Sequence, residues 1–311
     1  ADEGNYSITT QGTTTANITA KALTYTVDAS NKTYDGTDAA TVTITLSGLV
    51  GAETLTTTET STFAQTTVGT GITVTVDSIS LVDGTGDADN YSIASGQTDT
   101  ADITAKTLTA TADAADKTYD GTTTATVTLT LSGVVGSDSV SSTNGATFSQ
   151  SDVGTGITAT VNSITLTGDD AGNYTISSGQ TDTADITAKT LTATADAADK
   201  AYDGTTTATV TLTLSGVVGS DSVSSTNGAT FSQSDVGTGI TATVNTITLT
   251  GDDAGNYTIS SGQTDTAAIT AKTLTATADA ADKTYDGTAT ATVTLTLSGV
   301  VGSDSVSSTN G

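Results

Sequence analysis

Residues 106–188 and 189–271 of this chain differ at only three aligned positions: Thr118 against Ala201, Ser163 against Thr246, and Asp185 against Ala268. The string Lys-Thr-Tyr-Asp-Gly, or a close variant, places its tyrosine at Tyr34, Tyr119, Tyr202 and Tyr285, at spacings of 85, 83 and 83 residues. A fixed long period means an array of like modules. A unit of 83 residues is too large for one solenoid coil and suits a small self-contained sandwich. The expected organisation is three full repeats, 21–105, 106–188 and 189–271. They are flanked by the C-terminal part of a preceding repeat (1–20) and the N-terminal part of a further one (272–311). That cut leads us to expect a polymer longer than 311 residues.

Within 106–188 the apolar positions alternate as strands require. Leu108, Ala110 and Ala112 point one way, and after the Asp120-Gly121 turn so do Ala125, Val127, Leu129 and Leu131, with threonines between them. β-branched threonine suits the outer, solvated face of a pleated surface. Asn144-Gly145 reads as a hairpin turn before Phe148. Ile157, Ala159 and Val161 sit on odd numbers and Ile164 and Leu166 on even ones, which predicts a bulge near Asn162-Ser163. Tyr174 and Ile176 open another strand, and Ala184, Ile186 and Ala188 form the last. About seven short strands with frequent turn signals predict an all-β fold of tandem immunoglobulin-like β-sandwich modules. Between Ile186-Thr187-Ala188 and Lys189-Thr190-Leu191 there is no Gly/Ser-rich or Pro-rich spacer, and the inward parity changes across Lys189. Modules joined this tightly predict an extended, stiff rod, each module adding roughly 30–45 Å.

Charge narrows the partners. Thirty-four acidic groups face 8 lysines, with no histidine, for a net charge of −26. Phosphate binding needs a basic surface, so nucleic acid is excluded, and an anionic membrane surface repels the chain. No apolar run is long enough to span a bilayer in this segment. Without cysteine there is neither a disulfide nor a thiolate metal site.

Four strings stand in order in one repeat. They are Lys-Thr-Tyr-Asp-Gly-Thr-Thr-Thr-Ala-Thr (117–126), Val-Gly-Thr-Gly-Ile-Thr-Ala-Thr-Val (153–161), Gly-Asn-Tyr-Thr-Ile (172–176) and Ala-Asp-Ile-Thr-Ala-Lys (184–189). The whole chain thereby resembles the YDG and MBG ("mostly bacterial glycine-rich") repeat domains of very large secreted bacterial proteins, often of filamentous-haemagglutinin or adhesin type. The resemblance implies a β-sandwich with a surface-stalk role, and it supplies no catalytic residues. The family's inter-unit segment usually carries a proline before the lysine, whereas Ala20, Ala105, Ala188 and Ala271 stand there in this chain.

Candidate chemistry is sparse. No His, Cys or Arg is present to build the usual nucleophile–base pairs or phosphate clamps, so the chain is expected not to be an enzyme and to require no cofactor. Asp83, Asp87, Asp89 and Asn90 lie in the glycine-rich loop Asp83-Gly84-Thr85-Gly86-Asp87-Ala88-Asp89-Asn90 and are candidate Ca²⁺ ligands, being hard oxygen donors at close spacing. The competing reading is that Asp, Asn and Gly make turns. The recurring Tyr-Asp-Gly reads as architecture: a tyrosine that buries its ring and hydrogen-bonds its hydroxyl beside a tight turn. Lys106 and Asn173 form a candidate isopeptide pair, against the simpler reading of Lys106 as a solvated charge. The function expected is that of a stiff acidic stalk or spacer in a secreted or cell-surface protein, bacterial or archaeal, serving adhesion or matrix. Its partners would be neighbouring modules of the same chain. The alternative is a subunit of a self-assembling extracellular filament, with like chains as partners through sandwich edges.

Overall fold

A computed structural model of the chain describes residues 3–7 and 12–309. Of the expected repeat tail 1–20, residues 1, 2 and 8–11 lie outside the described residues, as do 310 and 311 at the other end. The described residues are strands and loops with only three-residue 3-10 turns such as Ala171–Asn173, so the protein is all-β. They divide into two compact units, Ala1–Ala112 with Thr128–Gly145 and Val161–Gln180, and Asp113–Val127 with Ala146–Thr160 and Thr181–Gly311. Repeat 106–188 contributes segments to both.

The second unit contains all of repeat 189–271. Strand Lys189–Ala197 pairs in antiparallel register with Val210–Ser215 (Thr192 opposite Ser215, Ala197 opposite Val210), and its first residues pair parallel with Tyr257–Ile259. A five-stranded sheet runs in the order Lys200–Ala201, Thr264–Thr270, Gly237–Thr250, Ser224–Phe231, Thr207–Ala208. Phe231, Ile240, Val244 and Ile269 of this sheet are buried, and Ala195, Ala197 and Leu212 of the smaller sheet pack against them. Two sheets thus share one core, a β-sandwich. The alternation explains why: Val210 and Leu212 turn inward while Thr211 and Thr213 stay exposed.

The first unit repeats the plan in residues 21–105. Thr24–Ala29 lies antiparallel to Val42–Ser47, Lys21–Ala22 lies parallel to Tyr91–Ser92, and a four-stranded sheet runs Lys32–Thr33, Thr98–Thr104, Gly69–Asp83, Leu55–Phe63. The core is lean: among the described residues the largest fully buried side chains are Ile and Val, among them Ile103 and Val74 here and Ile269 and Val244 in the second unit.

The structure carries the expected bulge and overturns the expected turn. In repeat 189–271 the pairing skips Asn245, with Gly228 opposite Thr246 and Ala229 opposite Val244, and in repeat 21–105 it skips Asp77 in the same way. These are the counterparts of Asn162, and the skip is what flips the inward phase. Asn144-Gly145 is not a hairpin turn but lies inside strand Ser141–Phe148. Its glycine is there for room: a Cβ on Gly145 would lie 3.1 Å from Ser163 Oγ, and one on Gly228 would lie 2.9 Å from Thr246 Oγ1. In repeat 21–105 the pair is Glu59-Thr60, a poor turn signal, and Thr60 there shares a hydroxyl hydrogen bond of 2.7 Å with Ser78.

Between strands Thr181–Thr187 and Lys189–Ala197 stands the single residue Ala188, and between Thr98–Thr104 and Lys106–Thr107 only Ala105. Inward positions change parity there, from Ala184 and Ile186 to Leu191, as the sequence indicated.

Candidate functional site

The recurring Tyr-Asp-Gly turn is positioned by short-range chemistry. In the first unit, Lys32–Thr33 pairs parallel with Thr98–Thr104, and the Tyr34 N–H donates to the Thr104 carbonyl at 2.8 Å. Asp35 then closes an Asx turn, its Oδ1 accepting from the Thr37 N–H at 2.9 Å and from the Thr37 hydroxyl at 2.8 Å. Lys32 Nζ sits 2.8 Å from Asp35 Oδ1 and also donates to the carbonyls of Thr37 (2.9 Å) and Ala39 (3.1 Å), clamping both sides of the turn. In the second unit Lys117 clamps Asp120 at 2.6 Å. The Lys117 ammonium, working against burial and helped by the Thr122 N–H, holds the Asp120 carboxyl down at about 2.

What the turn presents is a plug, and the next repeat supplies the socket. The Tyr34 hydroxyl donates to Asp138 Oδ2 at 2.8 Å. Tyr174 donates to the same oxygen at 2.5 Å and accepts from the Val135 N–H at 2.9 Å. The rings of Tyr34 and Tyr174 meet edge to face, centroids 5.4 Å apart at 79°. Buried Asn173 turns its Oδ1 to the Val68 N–H at 3.0 Å. Gly36 has φ +79°, and a Cβ on it would approach Val135 Cγ1 to 3.0 Å, so both backbone conformation and contact demand glycine. Tyr34, Gly36 and Val68 belong to repeat 21–105, and Val135, Asp138, Asn173 and Tyr174 to repeat 106–188. One apolar cluster passes through this joint, joining Phe63, Ile72, Val74 and Ile103 to Leu108 and Tyr174.

The second unit builds the same joint between the next two repeats. Tyr119 donates to Asp221 Oδ2 at 2.8 Å and Tyr257 to that same oxygen at 2.5 Å, with ring centroids 5.4 Å apart at 77°. Asn256 accepts from the Val153 N–H at 2.9 Å and donates to Asp152 Oδ1 at 3.2 Å. Further on, Tyr202 donates to Asp304 at 2.9 Å. Burial first, then the hydrogen bond and the negative charge of Asp138, push the Tyr34 hydroxyl up to about 12. Burial and Asp221 move Tyr119 in the same direction.

The sequence had marked the tyrosine and its turn but not the acidic acceptor. The signal was available: position 138 recurs as Glu53, Asp221 and Asp304, always three residues after a valine. Asn173, weighed as an isopeptide acceptor, accepts instead from Val68, and the register sets Lys106 opposite Tyr174.

The calcium candidates fall in the extended loop of the first repeat. Asp83 Oδ1 accepts from the Ala88 N–H at 2.7 Å, and Asp87 Oδ1 accepts from the Asp89 N–H at 3.0 Å, capping the 3-10 turn Ala88–Asn90. Asp89 and Asn90 are exposed. Among the described residues no three acidic side chains gather closely enough to hold a metal ion.

Such a chain is an all-β tandem-repeat protein whose repeats join through a Tyr-Asp-Gly turn. The family model described as the YDG domain matches residues 19–101, 104–184 and 187–267, and the chain belongs to that family. No curated protein and no solved structure matches the chain.

Proposed function

We propose that this chain is a non-catalytic spacer segment of a secreted or cell-surface protein, its immunoglobulin-like modules holding a functional end away from its base. The observation that carries the reading is the joint: one residue separates consecutive repeats, and repeats 106–188 and 189–271 each seat a tyrosine of the one before on a half-buried carboxylate. A linker that leaves no slack and adds a packed contact resists bending, which is what a stalk needs. The acidic surface, with net charge −26, keeps neighbouring stalks apart and soluble. The role draws on no cofactor. Calcium at Asp83, Asp87, Asp89 and Asn90 is an addition to it, tested by titrating Ca²⁺ during a thermal melt.

Small-angle scattering of the full chain tests the spacer reading. A pair-distance distribution with the long tail of a stiff multi-module particle is the expected result. A compact particle, or the profile of freely jointed beads, would overturn it.

A further inference from the structure

The three residues that distinguish repeat 189–271 from repeat 106–188 all lie on one surface, the outer face of the large sheet. Ala201 is exposed and pairs with exposed Thr270, and exposed Thr246 stands beside Gly228 at the bulge. Ala268 takes the place of Asp185, whose carboxylate reaches the Gly156 N–H on that face in the preceding repeat. Each exchange makes the face less polar. Ala201 for Thr118 removes a hydroxyl, Thr246 for Ser163 adds a methyl, and Ala268 for Asp185 removes a charge. The loops and inner faces of the two repeats are otherwise identical in sequence.

The result is a broad uncharged face on a chain of net charge −26. At its centre, Thr264, Thr243, Thr230 and Thr207 stand in one register-matched row across four neighbouring strands. The five strands contain two charged residues, and both turn away from this face. Lys200 Nζ sits 2.7 Å from Asp203 in its own turn, and Asp265 Oδ2 accepts from the Ala197 N–H of the smaller sheet at 2.8 Å. Their one aromatic side chain, Phe231, is buried on the inner side. The equivalent face carries Asp185 in repeat 106–188, and both Asp77 and Asp102 in repeat 21–105. Only in repeat 189–271 is it free of carboxylates.

We infer that the outer sheet face of repeat 189–271 packs against the same face of a second copy of this chain. Charge narrows the contact to this patch. Two copies of −26 repel wherever carboxylates face each other, whereas here threonine methyls meet and their hydroxyls can both donate and accept across the contact. Shape selects the occupant, since sheets twist with one hand and a sheet of equal twist stacks on another with strands crossing at about 30°. The sheet's edges are already taken by the two-residue strands Lys200–Ala201 and Thr207–Ala208. One patch serving both partners makes the contact isologous, so it closes as a two-fold dimer. Three long strands of 7, 8 and 14 residues, about 4.8 Å apart and rising about 3.3 Å per residue, present roughly 500 Å² on each copy. A total of about 1,000 Å² is the lower end for a specific interface, so the dimer is weak. Added salt should strengthen it by screening the repulsion between the rest of the two chains.

Sedimentation velocity of the full chain between about 10 µM and about 1 mM, a range spanning weak protein contacts, provides the test. Concentration-dependent dimers are expected, weakened at least about tenfold by Ala268→Asp, which returns a carboxylate to the face of each copy. That variant separates association from folding, because a carboxylate within reach of the Gly239 N–H should leave the monomer at least as stable in urea. Thr243→Lys and Thr243→Asp, both on the central strand, should each weaken the dimer by a similar factor, with circular dichroism verifying the fold. Mixing those two variants should recover association, since opposite charges then share the interface. Thr160→Lys, the equivalent change in repeat 106–188, should leave association at the parent level. A chain that stays monomeric at every concentration and salt, dimers indifferent to Ala268→Asp, or an equal loss from Thr160→Lys would overturn the inference. Any of these would leave the spacer reading standing, since that reading rests on joints within one chain.

Discussion

At the scale of single residues, the joint is built from groups that tolerate little change. Gly121 combines φ +77° with an approach of 3.0 Å to Val218 Cγ1 for any added Cβ. Gly121→Ala should therefore cost roughly 1–3 kcal/mol, strain at a left-handed position plus displacement of the valine, read as a lowered midpoint in urea unfolding. A midpoint unchanged from the parent would show that the plug is not held against Val218. Alkali probes the same contact differently. A tyrosine in an unfolded chain titrates near 10, and Tyr34 in the fold is pushed up to about 12, chiefly by burial and then by Asp138. The fold therefore favours the protonated hydroxyl: its contribution is fully present below pH of about 10 and is lost as the pH rises through about 12. Tyrosinate absorbance should show a late-titrating class that coincides with loss of β-sheet signal. In Tyr34→Phe that class should shrink.

At the scale of strands, much was legible in the sequence and the reasons for the misses are specific. Period-2 alternation located the strand around Val127–Leu131, and the parity switch after Val161 located the bulge, because both are written in which side chains turn inward. The acceptor Asp138 was missed because its partner, Tyr34, is 104 residues away, and no local pattern records such a contact. Asn144-Gly145 misled because glycine answers two needs, positive φ and empty space, and only the partner strand reveals which one applies. The calcium loop shows the same ambiguity: Asp83 and Asp87 are hard oxygen donors whose oxygens here receive backbone N–H groups. One of the three differences between the near-identical repeats also has a reading at this scale. Asp185 Oδ1 accepts from the Gly156 N–H at 2.8 Å, as Asp102 does from Gly71, whereas the third repeat has Ala268 and Gly239 in those places. Ala268→Asp should restore that bond and raise stability by about 0.5–1.5 kcal/mol, measured as a higher denaturation midpoint with an unchanged slope. A destabilised variant would mean that the added negative charge outweighs the hydrogen bond.

At the scale of the whole molecule, an array of repeats holds together as a sum of module stabilities and nearest-neighbour terms, so the joints decide how far a disturbance spreads. In the second unit the neighbour term has an identifiable centre. Asp221 Oδ2 accepts at 2.8 Å from Tyr119, which belongs to repeat 106–188, and at 2.5 Å from Tyr257, which belongs to repeat 189–271. Two hydroxyls on one oxygen are not independent, since each polarises the carboxylate the other uses and each ring shields the other's bond from water. Removing either hydroxyl leaves the carboxylate a remaining donor, while removing both leaves a partly buried charge that only water can satisfy. The double change Tyr119→Phe with Tyr257→Phe should therefore differ from the sum of the two single changes by about 0.5–2 kcal/mol. Hydrogen exchange supplies the spatial half of the same test. Asp221→Ala strands both hydroxyls and should cost roughly 2–4 kcal/mol. It should lower protection both at Lys117–Thr118, the strand that sets the plug, and at Tyr257–Ile259, the strand that forms the socket. Additive single changes, or deprotection confined to repeat 189–271, would show that adjacent repeats merely touch there. Coupled changes on both sides would make the shared carboxylate the means by which one repeat stabilises the next, and that is the property a load-carrying spacer requires.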